Sequence, residues 1–187
     1  HPAVLPLKLL AVHSGLAEYG RNNITYVDGM GSFHRLQAFF SDLPVAEEDW
    51  FELKSLKRCA KCTACIDTCP TKTILTDRFL IRAERCLTFH NERFGDFPGW
   101  IEASWHNCLI GCMHCQIICP ENKGFRNWFT QPEVFGEEES QIILSGVGYS
   151  QLSEEVLIKL RRFGFWDDDV KLLPRNLKAL LIQHQSG

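Results

Sequence analysis

The stretch Cys59-Ala-Lys-Cys62-Thr-Ala-Cys65-Ile-Asp-Thr-Cys69-Pro70 arranges four cysteines as C-x2-C-x2-C-x3-C-P near the middle of the chain. A second stretch, Cys112-Met-His-Cys115-Gln-Ile-Ile-Cys119-Pro120, repeats the back half of this pattern. Cys86 and Cys108 lie between the two stretches. All nine cysteines of the 187 residues therefore fall in one third of the chain, which indicates a shared chemical role.

This spacing is typical of ligands for cubane iron–sulfur clusters. A [4Fe–4S] cluster needs four thiolates, and three cysteines at intervals of three residues let one tight loop bind three irons. The proline after the last cysteine fixes φ and removes a backbone donor, so the chain leaves the loop there. An odd number of clustered cysteines disfavours a disulfide framework. Structural zinc explains neither the third cysteine nor the two Cys-Pro endings, so two [4Fe–4S] clusters are predicted.

The cysteines can be divided between the two clusters by a known rule. In bacterial two-cluster ferredoxins, the fourth cysteine of such a run binds the other cluster. The rule gives the first cluster four ligands: Cys59, Cys62, Cys65 and Cys119. It gives the second cluster three: Cys69, Cys112 and Cys115. Regular spacing would put the missing ligand at Leu109, and spacing alone does not choose between Cys86 and Cys108.

Composition and charge restrict the class of protein. The hydrophobic fraction of 45% is ordinary for a soluble protein, and no apolar run is long enough to span a bilayer. Thiols kept for metal predict a reducing compartment, the cytoplasm. The net charge of −3 gives no general attraction to nucleic acid. The basic residues between Lys54 and Lys61 are read as solvated surface charge, although an acidic electron donor could dock there.

The residues before the cysteines predict a helix and a β-hairpin. Residues 1–14 have helical character, and Gly15–Ile24 reads as a tight, exposed loop. Ile24–Val27 and Phe33–Phe40 are predicted strands, joined by the turn signal Asp28–Gly31.

Later residues predict mainly short helices. They include a helical turn at Thr71–Ile74, a cysteine-bearing helix over Ile81–Asn91 and a short helix over Trp100–Asn107. Capping and charge signals predict a helix over Ser153–Gly164, and Pro174–Gln183 is predicted to form a closing helix.

These elements predict an α+β fold with a bacterial two-[4Fe–4S] ferredoxin-like core. Residues 1–50 form a helix and hairpin segment before the clusters, residues 51–130 form the double-cluster domain, and residues 131–187 form a tail of C-terminal helices. We expect the tail to cover the cluster core.

The block Ala83-Glu-Arg-Cys86-Leu87, taken with the run that begins at Gly111, resembles the double-cluster region of epoxyqueuosine reductases. In that family the cysteine that matches Cys86 is a cluster ligand. The resemblance therefore implies that Cys86 completes the second cluster, and it leaves Cys108 as an extra thiol.

The segment Leu7–Asn23 resembles the residues that precede the clusters in epoxyqueuosine reductases and reductive dehalogenases. The later motifs Gly31-Ser-Phe33 and Ser41-Asp-Leu-Pro44 extend this resemblance. It implies that the clusters feed electrons to a cobalamin held by an upstream α/β domain. It also implies a corrinoid-facing loop that contains three candidate cofactor-binding residues: Tyr19, Arg21 and Asn22.

Two positions depart from the reductase pattern. Ala17 stands where the reductases have the second glycine of their loop, and Glu18 stands where they have a tryptophan. An acidic residue there is more similar to the dehalogenase form. The sequence contains neither the cobalamin domain nor its general acid, and it begins at His1 without an initiator methionine, which raises the expectation that it is a fragment. Catalytic residues therefore stay unassigned, and enzymatic activity stays open.

The leading hypothesis is a cytoplasmic electron-transfer module with two [4Fe–4S] clusters. It would accept electrons from a donor such as ferredoxin or flavodoxin and deliver them to a corrinoid or a corrinoid protein. One alternative is the C-terminal part of a cobalamin-dependent oxidoreductase similar to epoxyqueuosine reductases or dehalogenases, with tRNA as a partner only in a true epoxyqueuosine reductase. Another is a stand-alone ferredoxin-type carrier. No membrane partner is expected.

Overall fold

The computed structural model describes residues 5–44, 50–127 and 133–185. The chain divides into two units by its internal contacts. The first unit contains His1–Arg82 and His114–Trp128, and the second contains Ala83–Met113 and Phe129–Gly187. The later cysteines are therefore divided between the units: Cys86, Cys108 and Cys112 belong to the second unit, and Cys115 and Cys119 belong to the first.

The first unit begins with a helix and a small sheet. Helix α1 spans Leu7–His13, and strands β1 (Glu18–Tyr19) and β2 (Thr25–Tyr26) pair antiparallel. The register sets Glu18 opposite Tyr26 and Tyr19 opposite Thr25. Four buried side chains form a small core beneath them: Ala11, Val12, Ala17 and Tyr19. The predicted helix over residues 1–14 is therefore confirmed over α1; residues 5 and 6 are not helical, and residues 1–4 lie outside the described residues.

The hairpin forms one segment earlier than the sequence predicts. The expected exposed loop Gly15–Ile24 contains β1, and its residues Tyr19 and Asn22 are buried. The predicted strand Phe33–Phe40 is wrong, because these residues have no regular secondary structure. Phe39 and Phe40 at its end are 85% and 86% exposed. The apolar residues at this end therefore gain no buried face against which a strand could pack.

The turn at Asp28–Gly31 does form, but it closes only an isolated bridge. Val27 and Gly31 exchange two backbone hydrogen bonds, of 2.9 and 3.0 Å. The positive φ of +66° at Gly31 favours glycine at this position.

The cysteine runs of the first unit lie on short helices. A 3-10 helix over Lys57–Lys61 precedes α2 (Ala64–Thr68), and α2 contacts α4 (His114–Ile117). A second 3-10 turn, Pro120–Asn122, begins at the proline after the last cysteine. The predicted helical turn at Thr71–Ile74 is wrong, since these residues are not helical.

In the second unit, the predicted helix over Ile81–Asn91 is broken at its cysteine. A 3-10 turn at Ala83–Arg85 and α3 (Leu87–Asn91) flank Cys86, whose backbone is extended with ψ of 131°. An extended residue cannot continue a helix. The predicted helix over Trp100–Asn107 shortens to a 3-10 turn, Ala103–Trp105.

The tail forms four α-helices within the described residues: α5 (Glu137–Leu144), α6 (Glu154–Arg162), α7 (Asp167–Val170) and α8 (Leu173–Gln185). Both predicted tail helices are confirmed. Ser153 caps α6 by accepting the Val156 N–H at 3.4 Å, and Gly164 with φ of +78° ends it. The core of this unit is apolar and buried: Ile143, Leu152, Val156, Leu157, Leu160, Val170 and Leu173.

The observed architecture is helical with one small sheet among the residues that the structure describes. Within those residues, every helix is too short or too polar to cross a bilayer.

Candidate metal centre

The first cysteine set, which contains Cys59, Cys62, Cys65 and Cys119, lies entirely in the first unit. Cys59 belongs to the 3-10 helix before α2, and Cys62 follows that helix with an extended backbone. Cys65 lies in the first turn of α2. Cys119 precedes the Pro120 turn, and the fixed φ of proline suits the first position of a helical turn.

The thiols of the first cysteine set interact with one another. The pKa of Cys65 is raised to about 11, first by burial and then by the charges of Cys59, Cys119 and Cys62. The pKa of Cys59 is also raised, mainly by burial, with further contributions from Cys119 and Cys62. Thiolates that repel one another are stabilised by a shared metal cluster, because iron binds the deprotonated sulfur. The donor set therefore fits a cubane cluster.

Cluster ligands differ from the ligands of a single ion. Within the described ranges, no group of three His, Cys, Asp or Glu side chains could hold one metal ion. The four thiolates of a cubane bind four different irons and need not converge on one point.

The loop between β1 and β2 donates hydrogen bonds to the first cysteine set. The backbone N–H of Arg21 donates to Sγ of Cys59 at 3.4 Å, and the Arg21 guanidinium donates to the carbonyl oxygen of Cys59. The phenol of Tyr26 makes a hydrogen bond with Cys119, and burial together with this contact raises the pKa of Tyr26. Asn22 Nδ2 donates to the phenolic oxygen at 3.0 Å, which leaves the phenolic hydrogen for Cys119.

A buried asparagine holds the chain after Cys119. Asn122 is fully buried; its Oδ1 accepts the Ser32 N–H at 2.8 Å, and its Nδ2 donates to Ser32 Oγ at 2.7 Å. A Cβ at Gly31 would lie 2.5 Å from Asn122 Oδ1, so only glycine fits there. Sequence reasoning missed both Tyr26 and Asn122, and the nearest signal for Asn122 was the Gly31-Ser-Phe33 motif.

The three predicted corrinoid-facing residues lie together in the first unit. Tyr19 is buried and packs edge-on against Phe79, with ring centroids 5.1 Å apart. Arg21 contacts Cys59, and Asn22 contacts Tyr26. Contact of these residues with a corrinoid remains a prediction.

A cavity of about 630 Å³ in the first unit is lined by residues before and within β1, by Tyr26 of β2 and by the turn that follows it, and Tyr19, Arg21 and Asn22 are not among its lining residues. Three carboxylates line it: Glu18, Asp28 and Glu121. Tyr26 also lines it, and the same phenol bonds Cys119, so the cavity lies next to the first cysteine set.

The second cysteine set contains Cys69 and Cys115 from the first unit and Cys86 and Cys112 from the second. Cys69 is buried, with Sγ 3.6 Å from Oγ1 of Thr71. The assignment of this set stays a prediction from the sequence.

Inside the second unit, one side chain joins the segments that carry Cys86 and Cys112. Helix α3 begins directly after Cys86 and ends at Asn91, which is fully buried. Nδ2 of Asn91 donates to the carbonyl oxygen of Gly111 at 2.6 Å, and Gly111 immediately precedes Cys112. The remaining thiol, Cys108, is partly buried, and burial raises its pKa.

Residues 58–122 match the 4Fe–4S double cluster binding domain family. The epoxyqueuosine reductase of Lactococcus garvieae is 32% identical to the chain over 125 residues, which make up 67% of this chain and 34% of that protein.

Solved structures give a similar result over a longer range. The epoxyqueuosine reductase from Streptococcus thermophilus superposes with a TM-score of 0.68 at 22% identity, covering 97% of this chain and 46% of that one. An epoxyqueuosine reductase solved with an epoxyqueuosine-modified tRNA-Tyr stem loop has a TM-score of 0.62 at 22% identity, covering 97% and 47%. These two likenesses show a shared fold. The chain spans between about a third and a half of the length of these three proteins.

Proposed function

Because the chain belongs to the epoxyqueuosine reductase superfamily of 4Fe–4S double-cluster proteins, we propose that it is an electron-transfer module with two [4Fe–4S] clusters in a ferredoxin-like core. The first cysteine set holds one cluster, and the second cysteine set holds the other. The observation that carries this proposal is the match of residues 58–122 to the 4Fe–4S double cluster binding domain family, within which the four cysteines of the first cysteine set lie in the same unit.

When bound, the clusters supply one-electron transfer at potentials that can reach about −700 mV. The chain holds the thiolates, limits water and donates hydrogen bonds to the sulfurs. The Arg21 N–H and the Tyr26 phenol are the donors next to the first cysteine set. Hydrogen bonds to ligating sulfur stabilise the more negative, reduced state and so raise the reduction potential.

The proposed electron acceptor is a corrinoid beside the first cysteine set. Support comes from the cavity that Tyr26 lines, because the Tyr26 phenol bonds Cys119, and from the contacts of Arg21 with Cys59 and of Asn22 with Tyr26. The proposed donor is ferredoxin or flavodoxin in the cytoplasm. Lys54, Lys57 and Lys61 are exposed near the first cysteine run and could attract such an acidic protein.

A second candidate is that the chain is part of a cobalamin-dependent oxidoreductase. Support comes from the similarity to epoxyqueuosine reductases, of which the chain spans only a part. One of those relatives was solved with a tRNA stem loop, so tRNA is a proposed partner under this candidate alone.

Anaerobic reconstitution tests the core of the proposal. Iron, acid-labile sulfide and zinc are measured per chain, and the dithionite-reduced protein is examined by electron paramagnetic resonance (EPR). We expect the iron and sulfide of two cubes and a brown colour that bleaches on reduction. A colourless, zinc-loaded chain would refute it. The corrinoid acceptor is tested separately with cob(II)alamin. If the reduced protein neither binds cob(II)alamin nor transfers an electron to it, the corrinoid acceptor is excluded and the stand-alone ferredoxin-type carrier is favoured.

A further inference from the structure

The start of helix α8 contacts the end of α3 and the loop that follows it through polar groups. The Arg175 guanidinium donates to backbone carbonyl oxygens of the last two residues of α3, His90 at 2.8 Å and Asn91 at 3.4 Å, and of two residues in the following loop, Arg93 at 3.0 Å and Gly95. The same guanidinium lies over the ring of Phe97, 4.0 Å from its centroid. One side chain thus fixes the course of the chain that leads away from Cys86.

The next residue, Asn176, joins the end of α3 to the segment before Cys112. Asn176 is fully buried, and its Nδ2 donates to the carbonyl oxygens of Asn91 at 2.9 Å and Leu109 at 2.8 Å. Its Oδ1 accepts two hydrogen bonds from Arg175, each of 3.0 Å. All the hydrogen-bonding capacity of the Asn176 amide is therefore used, which makes its orientation unique.

Asn91 closes the network. Its backbone carbonyl accepts from Asn176, while its side chain donates to the carbonyl oxygen of Gly111 at 2.6 Å. Asn91, Arg175 and Asn176 therefore connect the residues after Cys86, the residues before Cys112 and helix α8. We refer to these three residues as the polar network.

We propose that the polar network positions Cys86 and Cys112 as ligands of the second [4Fe–4S] cluster. This inference rests on the proposed function, because it assumes the second cysteine set. Cys86 and Cys112 lie on non-helical backbone. The polar network binds the carbonyl oxygens of Leu109 and Gly111, just before Cys112, and those at the end of α3, which begins directly after Cys86. Directional hydrogen bonds to these carbonyls hold such backbone more closely than apolar contacts do.

A purely structural role for the polar network predicts a different result. Helix α8 is also attached by Leu173, which is fully buried in the apolar core of the second unit. Loss of the Asn176 amide therefore need not detach the helix. A positioning role affects the second cluster first, whereas a structural role lowers the stability of the chain and leaves the ratio of iron to folded chain unchanged.

The test uses the full chain, reconstituted anaerobically, with Asn176→Ala as the main variant and Arg175→Lys as a milder one. Lysine keeps the charge and loses the forked donors. Lys178→Ala is the matched control, since Lys178 is exposed on the same helix. The readouts are iron and sulfide per chain, the EPR spectrum of the reduced protein, and circular dichroism.

We expect Asn176→Ala to keep its helical signal and about half of the iron, and to lose the magnetic coupling between two reduced clusters. Arg175→Lys should lose less iron, and Lys178→Ala should match the parent. Full iron and an unchanged EPR spectrum in Asn176→Ala would overturn the inference while the proposed function stands. If Asn176→Ala fails to fold, the iron content and the EPR spectrum of Arg175→Lys test the inference instead: a partial loss of iron supports it, and full iron with an unchanged spectrum overturns it. A parent chain without two cubes would instead refute the proposed function.

Discussion

Asn22 donates a hydrogen bond from its side-chain amide to the phenolic oxygen of Tyr26, over a distance of 3.0 Å. Both side chains are only 4% exposed. The phenol in turn bonds Cys119, so a short buried chain of polar groups ends on a thiol of the first cysteine set. We therefore expect Tyr26 to adjust the electron affinity of the proposed first cluster.

We predict that Tyr26→Phe makes the reduction potential of the first cluster more negative. The change removes a hydrogen bond that stabilises the reduced state, in which the sulfurs carry more negative charge. A preferential stabilisation of about 0.5–1.4 kcal/mol corresponds to a shift on the order of 20–60 mV for one electron. Spectroelectrochemical titration followed by EPR measures it.

Tyr149→Phe is the matched control for this prediction. It also removes a phenolic hydroxyl, here one that accepts from Nε of Arg161 at 2.9 Å in the second unit. Both potentials should stay unchanged in this control. A Tyr26→Phe variant with the parent's potential would show that the phenol has no electrostatic effect on the cluster.

Gly20→Ala is predicted to disturb the same loop. A Cβ at position 20 would lie 2.5 Å from the Tyr26 ring and 2.6 Å from Oδ1 of Asn22, and both neighbours are buried. Overpacking of this kind costs about 1–3 kcal/mol. We expect a lower urea midpoint and a shift of the first potential in the same direction as for Tyr26→Phe.

Gly124→Ala provides the comparison, because a Cβ there meets nothing within 4 Å. It should change the free energy of unfolding by no more than about 0.5 kcal/mol. Equal urea midpoints for the two alanine variants would contradict the close contact at Gly20.

The cysteine pattern could indicate a candidate site because its constraint is local, and the assignment of its cysteines to two clusters stays a prediction. Three thiolates for one cluster must come from one tight loop, and that requirement is visible as spacing. Tyr26 and Asn122 have no such signal, because their partners Cys119 and Ser32 are 93 and 90 residues away along the chain. Their roles follow only from the fold.

The same distinction explains the secondary structure. Helix α6 was predictable because Ser153 and Gly164 mark its ends within the sequence itself. Strand β2 (Thr25–Tyr26) lies within the predicted strand Ile24–Val27, whereas β1 was missed because its two residues are too few for an alternating pattern. Phe33–Phe40 has apolar bulk typical of a strand, but the aromatic residues at its end stay exposed.

The identity of the eighth ligand is tested by two alanine variants. We predict that Cys86→Ala loses the second cluster and about half of the iron, because it removes a thiolate from the second cysteine set. Cys108→Ala should retain both clusters. The two variants remove the same chemical group, so each is the control for the other. Loss of iron from Cys108→Ala alone would exchange the two assignments.

A buried histidine in the second unit should make stability depend on pH. His106 is 1% exposed, its ring lies 4.5 Å from that of Phe97, and its Nδ1 has no hydrogen-bond partner within the described residues. Burial, and then the charge of Arg175, lower the pKa of His106. Burial lowers the pKa of Arg175, whereas the negative charge of Asp96 raises it by favouring the charged guanidinium.

The unfolded chain therefore binds the His106 proton at a higher pH than the folded chain does. This contribution to stability is complete above the ordinary histidine pKa of about 6.5 and declines as the pH falls below it, with a slope of at most about 1.4 kcal/mol per pH unit. Urea unfolding of the parent and of His106→Gln at pH 7.5 and 5.5 measures this pH-dependent change in the free energy of unfolding.

The comparison with the variant is needed because burial also lowers the pKa of His34 in the first unit. His106→Gln should lose less stability than the parent between the two pH values, since glutamine binds no proton. Equal losses would mean that His106 is protonated equally in the folded and unfolded chains.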